Sequence, residues 1–259
     1  MCTLIALHRC FDGVPLVIAA NRDEYLDRPA EGPAVRRFGN AHAVAPLDLR
    51  AGGTWVGLSA AGVFVGLTNR PNPAPNPDVR SRGLVVADAL AAPSADAAFA
   101  PLLAPDAGPY SPFNLFVSDG ERARVLVWQD GPRVTELSPG AHIIGNADPD
   151  DASVPKVARL LGEAERVAGG RVEDALDDLL AVLRQHECGA TPLEDSCIHA
   201  GEYGTRSTLL LRRTTEGDTD VLRFADGAPC EVEPEDMTPL LKELRASSVR
   251  AGQATRKVA

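Results

Sequence analysis

Cys2 is the residue whose chemistry stands out first. Loss of Met1, which a small side chain at position 2 permits, would leave Cys2 carrying a thiol and a free α-amine together. An α-amine with an unperturbed pKa of roughly 7.7–8.0 accepts a thiol proton near neutral pH, so the residue is a nucleophile with its own base. The bland alternative is a small residue opening a buried strand. The second polar cluster is Asn21-Arg22-Asp23-Glu24, directly after the apolar run Val17-Ile18-Ala19-Ala20. Strand alternation puts Asn21 and Asp23 on one face and Arg22 and Glu24 on the other. A solvated turn with one internal ion pair is the competing reading there.

These residues need elements to bring them together. Thr3–Leu7 and Pro15–Ala20, joined by a turn-rich Phe-Asp-Gly-Val-Pro link, predict a hairpin that returns the Asn21–Glu24 segment beside Cys2. The following 30 or so residues read as polar loop as far as Gly52-Gly53. Thr54–Leu58 and Val63–Thr68 form a second hairpin, then Arg70–Pro77 a proline-rich surface loop. Helical periodicity follows from Ser81 and again over Ser94–Leu103, then strands at Phe113–Ser118, Ala123–Gln129 and Ile143–Gly145. Val154–Ala168 and Val172–His186 read as amphipathic helices separated by Gly169-Gly170. Ser207–Arg213 and Asp220–Phe224 return to strand, with a short helix near Pro239–Leu244 and a frayed tail from Ser248. Hairpins, then helices, then hairpins predict an α+β fold with antiparallel sheets. Residues 1–247 read as one domain and 248–259 as a flexible tail.

Composition narrows the function classes. The 259 residues carry 36 acidic and 26 basic side chains, a net charge of −10, which disfavours nucleic acid or an anionic membrane as partner. Three of the basic residues are lysines, so the arginine excess reads as GC-rich codon usage rather than a phosphate-binding signature. The start lacks the basic and long apolar segments of a secretory signal, and no apolar run approaches a membrane span, so a cytoplasmic location is expected. Five widely spaced cysteines then read as free thiols. Phosphate loops, Cys-x-x-Cys and His-Glu-x-x-His are absent. Cys188, Cys197 and His199 form the one group resembling a metal site. Their spacing matches no common zinc module, so they read as a thiol and an ordinary histidine, with no metal.

Several separate motifs agree on a family. Met-Cys at the start, Ala-Ala-Asn-Arg-Asp-Glu at 19–24, Gly-Gly-Thr-Trp-Val-Gly at 52–57 and Leu-Thr-Asn-Arg at 67–70 resemble the NRDE-motif family, which includes the transport and Golgi organisation 2 proteins. Ser111-Pro-Phe-Asn-Leu115, Gly145-Asn146-Ala147 and Cys197-Ile-His199 through Thr208 continue the resemblance to about residue 213. That family is similar to N-terminal-nucleophile hydrolases of the choloylglycine hydrolase and penicillin V acylase group. The resemblance implies a four-layer αββα sandwich of two antiparallel sheets between helices. It also implies roles: Cys2 as nucleophile, Asp23 holding its α-amine, Asn69 donating to the oxyanion, Asn146 near the amine and Arg206 as a distal arginine. The choloylglycine pattern has an arginine three positions before the aspartate, and Ala20 stands there in this chain. By parity Arg22 points away from Asp23 and supports the scaffold with Glu24, while Asn21 and Asp23 face the site. Trp55 and Arg70 are expected to border the pocket and touch substrate.

Two functional readings follow. The first is a cysteine amidase or acyltransferase acting on a small linear amide or thioester, without cofactor. The second is a carrier of haem, acyl-CoA or another lipid-like ligand on the same scaffold, as the NRDE resemblance also implies. Haem would need an axial ligand such as His8, His42, His142, His186 or His199, and sequence does not choose among them. A phosphate cradle for acyl-CoA would draw on Arg70, Arg80 and Arg82, which also read as a solvated loop. A structural or interaction protein without a ligand is the third, plainest reading.

Overall fold

The computed structural model describes residues 2–72, 76 and 78–256, with the side chains of 248–256 left aside. Part of the proline-rich loop, residues 73–75 and 77, therefore lies outside the described residues, as do Met1 and 257–259 of the expected tail. The strands are β1 (Cys2–Phe11), β2 (Val14–Tyr25), β3 (Ala30–Phe38), β4 (Ala41–Asp48), β5 (Val56–Ser59), β6 (Phe64–Asn69) and β7 (Phe113–Ser118). They continue as β8 (Ala123–Trp128), β9 (Pro132–Leu137), β10 (Gly140–Ile144), β11 (His199–Ala200), β12 (Tyr203–Arg213), β13 (Val221–Ala225) and β14 (Glu235–Asp236). The helices are α1 (Arg82–Ala91), α2 (Ala95–Leu103), α3 (Pro155–Ala168), α4 (Ala175–Leu183) and α5 (Thr238–Arg256).

These elements build two antiparallel sheets. The first has the order β10-β1-β2-β12-β13-β14, with β11 added on β12; the second is the meander β3 to β9. Three apolar clusters explain the layering. Leu4, Ile18, Phe64 and Phe116 pack between the sheets. Val65, Leu115 and Phe113 pack against Leu90 and Phe99 of α1 and α2. Ile5, Val17 and Leu210 pack against Leu160 and Leu179 of α3 and α4. The result is the expected αββα sandwich. Central strands such as Phe113–Ser118 are buried along their whole length, because each face is covered by another layer.

Three differences from the sequence reading have local causes. Residues 30–48 form β3 and β4 rather than loop. Gly32, Pro33 and two adjacent arginines hide the strand pattern of β3, which is a half-buried edge where such residues are tolerated. The same reason hides β9, the opposite edge of that sheet, which is largely exposed. The last helix extends to Arg256, well past Leu244, since no proline or glycine interrupts the chain between Leu244 and Gly252. Its Leu241 and Leu244 close one side of the inter-sheet core.

Gly53 marks a close approach between a loop and a helix near the site. A Cβ there would stand 2.6 Å from the Gly83 carbonyl oxygen and 2.7 Å from Leu84 N, both backbone atoms that cannot swing aside. Thr54 N donates to Gly83 O at 3.1 Å across the same junction. Gly53→Ala is therefore expected to cost about 1–3 kcal/mol. Chemical denaturation should show a lower midpoint at unchanged slope; an unaltered midpoint would contradict the contact.

Candidate active site

The site lies where β1 begins and β2 and β6 end. Pairing of β1 with β2 sets Cys2 opposite Arg22 and Thr3 opposite Asn21. Residues directly opposite on paired strands share a face, so Cys2 and Arg22 point the same way. Both line a cleft of ≈ 100 Å³ together with Asp23, Glu24, Asn69 and Arg206. Trp55 also lines it while packing on the inter-sheet core. β12 contributes through a bulge between Thr205 and Ser207: Thr205 pairs with Asp23, Ser207 with Arg22, and Arg206 is the extra residue. The bulge lets the consecutive residues Arg206 and Ser207 both reach the cleft, which regular alternation would forbid.

This register corrects the expected division of labour along 21–24. Asn21 does not line the cleft. It is fully buried toward the helices, where Nδ2 donates to Ser196 O (2.8 Å) and Leu183 O (3.1 Å) and Oδ1 accepts from Thr208 Oγ1 (2.7 Å). Arg22 takes a place in the cleft, with Nη2 at 3.7 Å from Glu24 and 3.6 Å from Asp48. The expected Arg22–Glu24 pairing is present, yet both members border the site rather than only bracing the scaffold. Arg22 Nη1 is buried and has no hydrogen-bond partner among the described residues. Ala20, at the place of the choloylglycine-type arginine, packs in the inter-sheet core.

Two further expectations separate from Cys2. Arg70 lies outside the cleft and fastens loops, donating to Asn114 Oδ1 (3.1 Å), Gln129 Oε1 (2.9 Å) and Asp148 Oδ1 (2.9 Å). Asn146 donates through Nδ2 to Asn69 O at 2.5 Å, so it anchors the end of β6. It lines a second, mainly apolar cavity of ≈ 340 Å³, with Thr3, Ile143, Val157 and Leu160. Thr3 faces away from Cys2 along β1, so this cavity lies on the helix side of the sheet.

Burial controls the electrostatics. It pushes the Cys2 thiol above its ordinary value, and the Asp23 charge adds to that, while Arg22 opposes it. Burial raises the Asp23 carboxyl from 3.8 to about 6 against the opposing effects of Lys156 and of the hydrogen bond from Thr205 Oγ1, 2.7 Å away. Lys156 on α3 is lowered by burial, with Asp23 opposing, and its Nζ is buried without a hydrogen-bond partner among the described residues. Arg82 at the start of α1 is likewise lowered by burial, with the charges of Cys2 and Glu24 opposing. Sequence reasoning does not single out Lys156, Asp48 or Thr205 as site residues, nor Arg82 beside Cys2. Each lies far along the chain from Cys2, and only the scarcity of lysine offers a signal.

An αββα sandwich of two antiparallel sheets between helices is the fold of the N-terminal-nucleophile hydrolases. Solved structures agree. The chain is similar to the Caenorhabditis elegans N-acylethanolamine-hydrolyzing acid amidase ortholog, at a TM-score of 0.53 and 12% identity, over 82% of this chain and 92% of that one. It is also similar to penicillin V acylase from Agrobacterium tumefaciens, at a TM-score of 0.52 and 12% identity, over 88% and 92%. The Transport and Golgi organisation 2 profile matches residues 1–222, and the chain belongs to that family. Its Bos taurus relative, transport and Golgi organization protein 2 homolog, is 33% identical over 234 residues, 78% of this chain and 83% of that protein. No helix among the described residues is long and apolar enough to cross a membrane.

The Asp23 environment has a pH consequence. A carboxyl that titrates near 6 when folded, against 3.8 unfolded, binds its proton more tightly in the folded state. Its contribution to stability therefore falls as pH rises from about 4 through 6. Asp23→Asn removes that titration. Unfolding free energy, variant minus wild type, should be more positive at pH 7 than at pH 4 in denaturant titrations; equal differences would contradict the buried carboxyl.

Proposed function

We propose that the chain is a cysteine amidase or acyltransferase that uses Cys2, freed of Met1, against a small linear amide or thioester. The observation that carries this reading is the register that sets Cys2 beside Arg22, in one cleft with Asp23, Asn69 and Arg206. The names of its structural neighbours, an acid amidase and an acylase, support the reaction class. In the reaction, the Cys2 thiol gives its proton to the α-amine of the same residue, and sulfur attacks the carbonyl carbon. The carbonyl π electrons move to oxygen, where the Asn69 side-chain amide donates to the oxyanion. Collapse breaks the carbon–nitrogen or carbon–sulfur bond, and the ammonium returns its proton to the departing amine or thiolate. The thioester left on Cys2 passes its acyl group to water or to an amine. Asp23 holds the ammonium, and Arg22 and Arg206 hold polar groups of the ligand. A cleft of ≈ 100 Å³ is smaller than the ~300 Å³ of ordinary ligand pockets, so it admits the reacting end of a ligand and leaves the rest outside.

The apolar cavity of ≈ 340 Å³ favours a second reading, a carrier for a lipid-like ligand on the same scaffold. Intact mass and turnover separate the two. The protein should lack Met1, an electrophilic acyl probe should label Cys2 ahead of the other four cysteines, and Cys2→Ala should abolish turnover of N-acyl amides and acyl thioesters. Asn69→Ala should slow acyl transfer about 10²–10³-fold. Retained Met1, or turnover that survives Cys2→Ala, would overturn the nucleophile; lipid binding undiminished in that variant would support the carrier.

A further inference from the structure

Four side chains that the proposed reaction does not use converge beside β11. His186 follows α4, Cys197 and His199 bracket Ile198, and Cys230 lies in the segment after β13. One possible ligand atom from each lies within 4.8 Å of all the others. His199 Nε2 is 3.2 Å from Cys230 Sγ, Cys197 Sγ is 3.5 Å from Cys230 Sγ, and Cys197 Sγ is 3.7 Å from His199 Nε2. Zinc bonds of about 2.3 Å to sulfur and 2.0–2.1 Å to nitrogen give an S2N2 tetrahedron edges of roughly 3.3–3.8 Å. Three edges of that tetrahedron are thus essentially in place. The fourth corner, His186, is exposed, and a ring nitrogen of it lies within 4.8 Å of the other three ligand atoms.

The surroundings of the two imidazoles match a metal site as well. His186 Nδ1 lies 3.0 Å from Cys197 O, an acceptor that fixes the proton on Nδ1 and leaves Nε2 as the donor to a metal. His199 Nδ1 lies 4.0 Å from Glu231 Oε1, on the side of the ring away from the sulfurs. A carbonyl or carboxylate behind each ligating histidine is the usual outer support of zinc.

We propose that His186, Cys197, His199 and Cys230 bind one Zn²⁺ ion in a closed structural site. Two thiolates and two imidazoles in tetrahedral reach select zinc over magnesium or calcium, which prefer oxygen ligands. Four protein ligands fill the coordination sphere, leaving no position for an activated water. Binding forms two Zn–S and two Zn–N bonds and releases the two thiol protons to solvent; no group is oxidised or reduced. The cluster is invisible in sequence because Cys188, which spacing suggests, is not part of it. Cys230 comes from 33 residues beyond Cys197 and His186 from 11 before.

The ion would clamp three segments that already touch. Cys197 N donates to Gln185 O at 3.0 Å, and Arg184 Nε donates to Pro229 O at 2.8 Å. The clamp also reaches the cleft. Ile198, between two ligands, donates through its N–H to Thr205 Oγ1 at 2.9 Å, and that hydroxyl donates to Asp23 Oδ1 at 2.7 Å. The site is a positioning device for the β12 bulge, whichever reaction the cleft performs.

The test uses the full-length protein, reduced and stripped of metal with a chelator, then titrated with Co²⁺ and afterwards Zn²⁺. One equivalent of Co²⁺ should give thiolate-to-cobalt absorption and the visible bands of tetrahedral cobalt, and one equivalent of Zn²⁺ should abolish them. Cys230→Ser and His199→Ala replace exposed residues and should leave the fold intact by circular dichroism. Each should weaken Zn²⁺ at least ~10-fold, and Cys230→Ser should roughly halve the charge-transfer band. Cys188→Ser should change neither. The proposal is overturned if the reduced protein takes up no cobalt or zinc, if the bands persist undiminished in Cys230→Ser, or if Cys188→Ser abolishes them. Recovery of a Cys197–Cys230 disulfide as the only product of adding metal in air would also overturn it.

Discussion

The site depends on one constraint, the register of three adjacent strands, β1, β2 and β12. Because side chains alternate with a period of two, a slip of one residue would turn Arg22 to the helices and Asn21 into the cleft. Apolar packing prevents that slip. Leu4, Ile18 and Ala20 must face the other sheet, and Ile5, Val17 and Ala19 must face the helices. Asn21 adds a polar lock, since its amide meets two carbonyls and a hydroxyl that exist only on the helix side. Reversing the register would strand those groups in apolar surroundings, at a cost of about 1–3 kcal/mol for each.

The same burial that fixes the register sets the chemistry of the cleft. Cys2, Asp23 and Arg22 are 6%, 2% and 6% exposed, so water screens their charges little. Desolvation favours the neutral forms of the thiol, the carboxyl and the Lys156 amine alike. Opposite charges nearby offset part of that effect. Arg22 does so for the Cys2 thiol, and Asp23 and Lys156 do so for each other. A thiol resting in its neutral form needs a base at the moment of attack. In the proposed reaction the α-amine of Cys2 serves, since it is on the same residue and needs no positioning by another strand.

Much of this is legible in the sequence, and the limits have physical causes. The β1–β2 hairpin, the paired helices around Gly169-Gly170 and the sandwich class follow from apolar runs, turn residues and family motifs. Cys2, Asp23, Asn69, Arg206 and Trp55 lie together along one cleft. The roles of Asn21 and Arg22 do not follow, because parity gives two faces without saying which one Cys2 shares. Only the pairing of Cys2 with Arg22 decides that. Arg70 departs from expectation because it ends a motif shared with Asn69, yet one further residue beyond the strand points it to Asp148 and Gln129. β3 and β9 are obscured because edge strands need no apolar face of their own on the solvent side.

Thr205 shows why the bulge belongs where it is. A regular β12 would place Arg206 and Ser207 on opposite faces, so only one of them could reach the cleft. The extra residue instead leaves Thr205 opposite Asp23 and Ser207 opposite Arg22, while Arg206 also reaches the cleft. Bulging weakens the local ladder, so something else must hold the strand. Thr205 does so with three hydrogen bonds. Its N–H donates to Ile198 O, its hydroxyl accepts from Ile198 N, and the same hydroxyl donates to Asp23. A hydroxyl that must accept on one side can present its single proton to the carboxylate on the other. The segment that includes Cys197 and His199 therefore orients the proton that Asp23 receives, and the disposition of Asp23 toward Cys2 is set partly from outside the cleft.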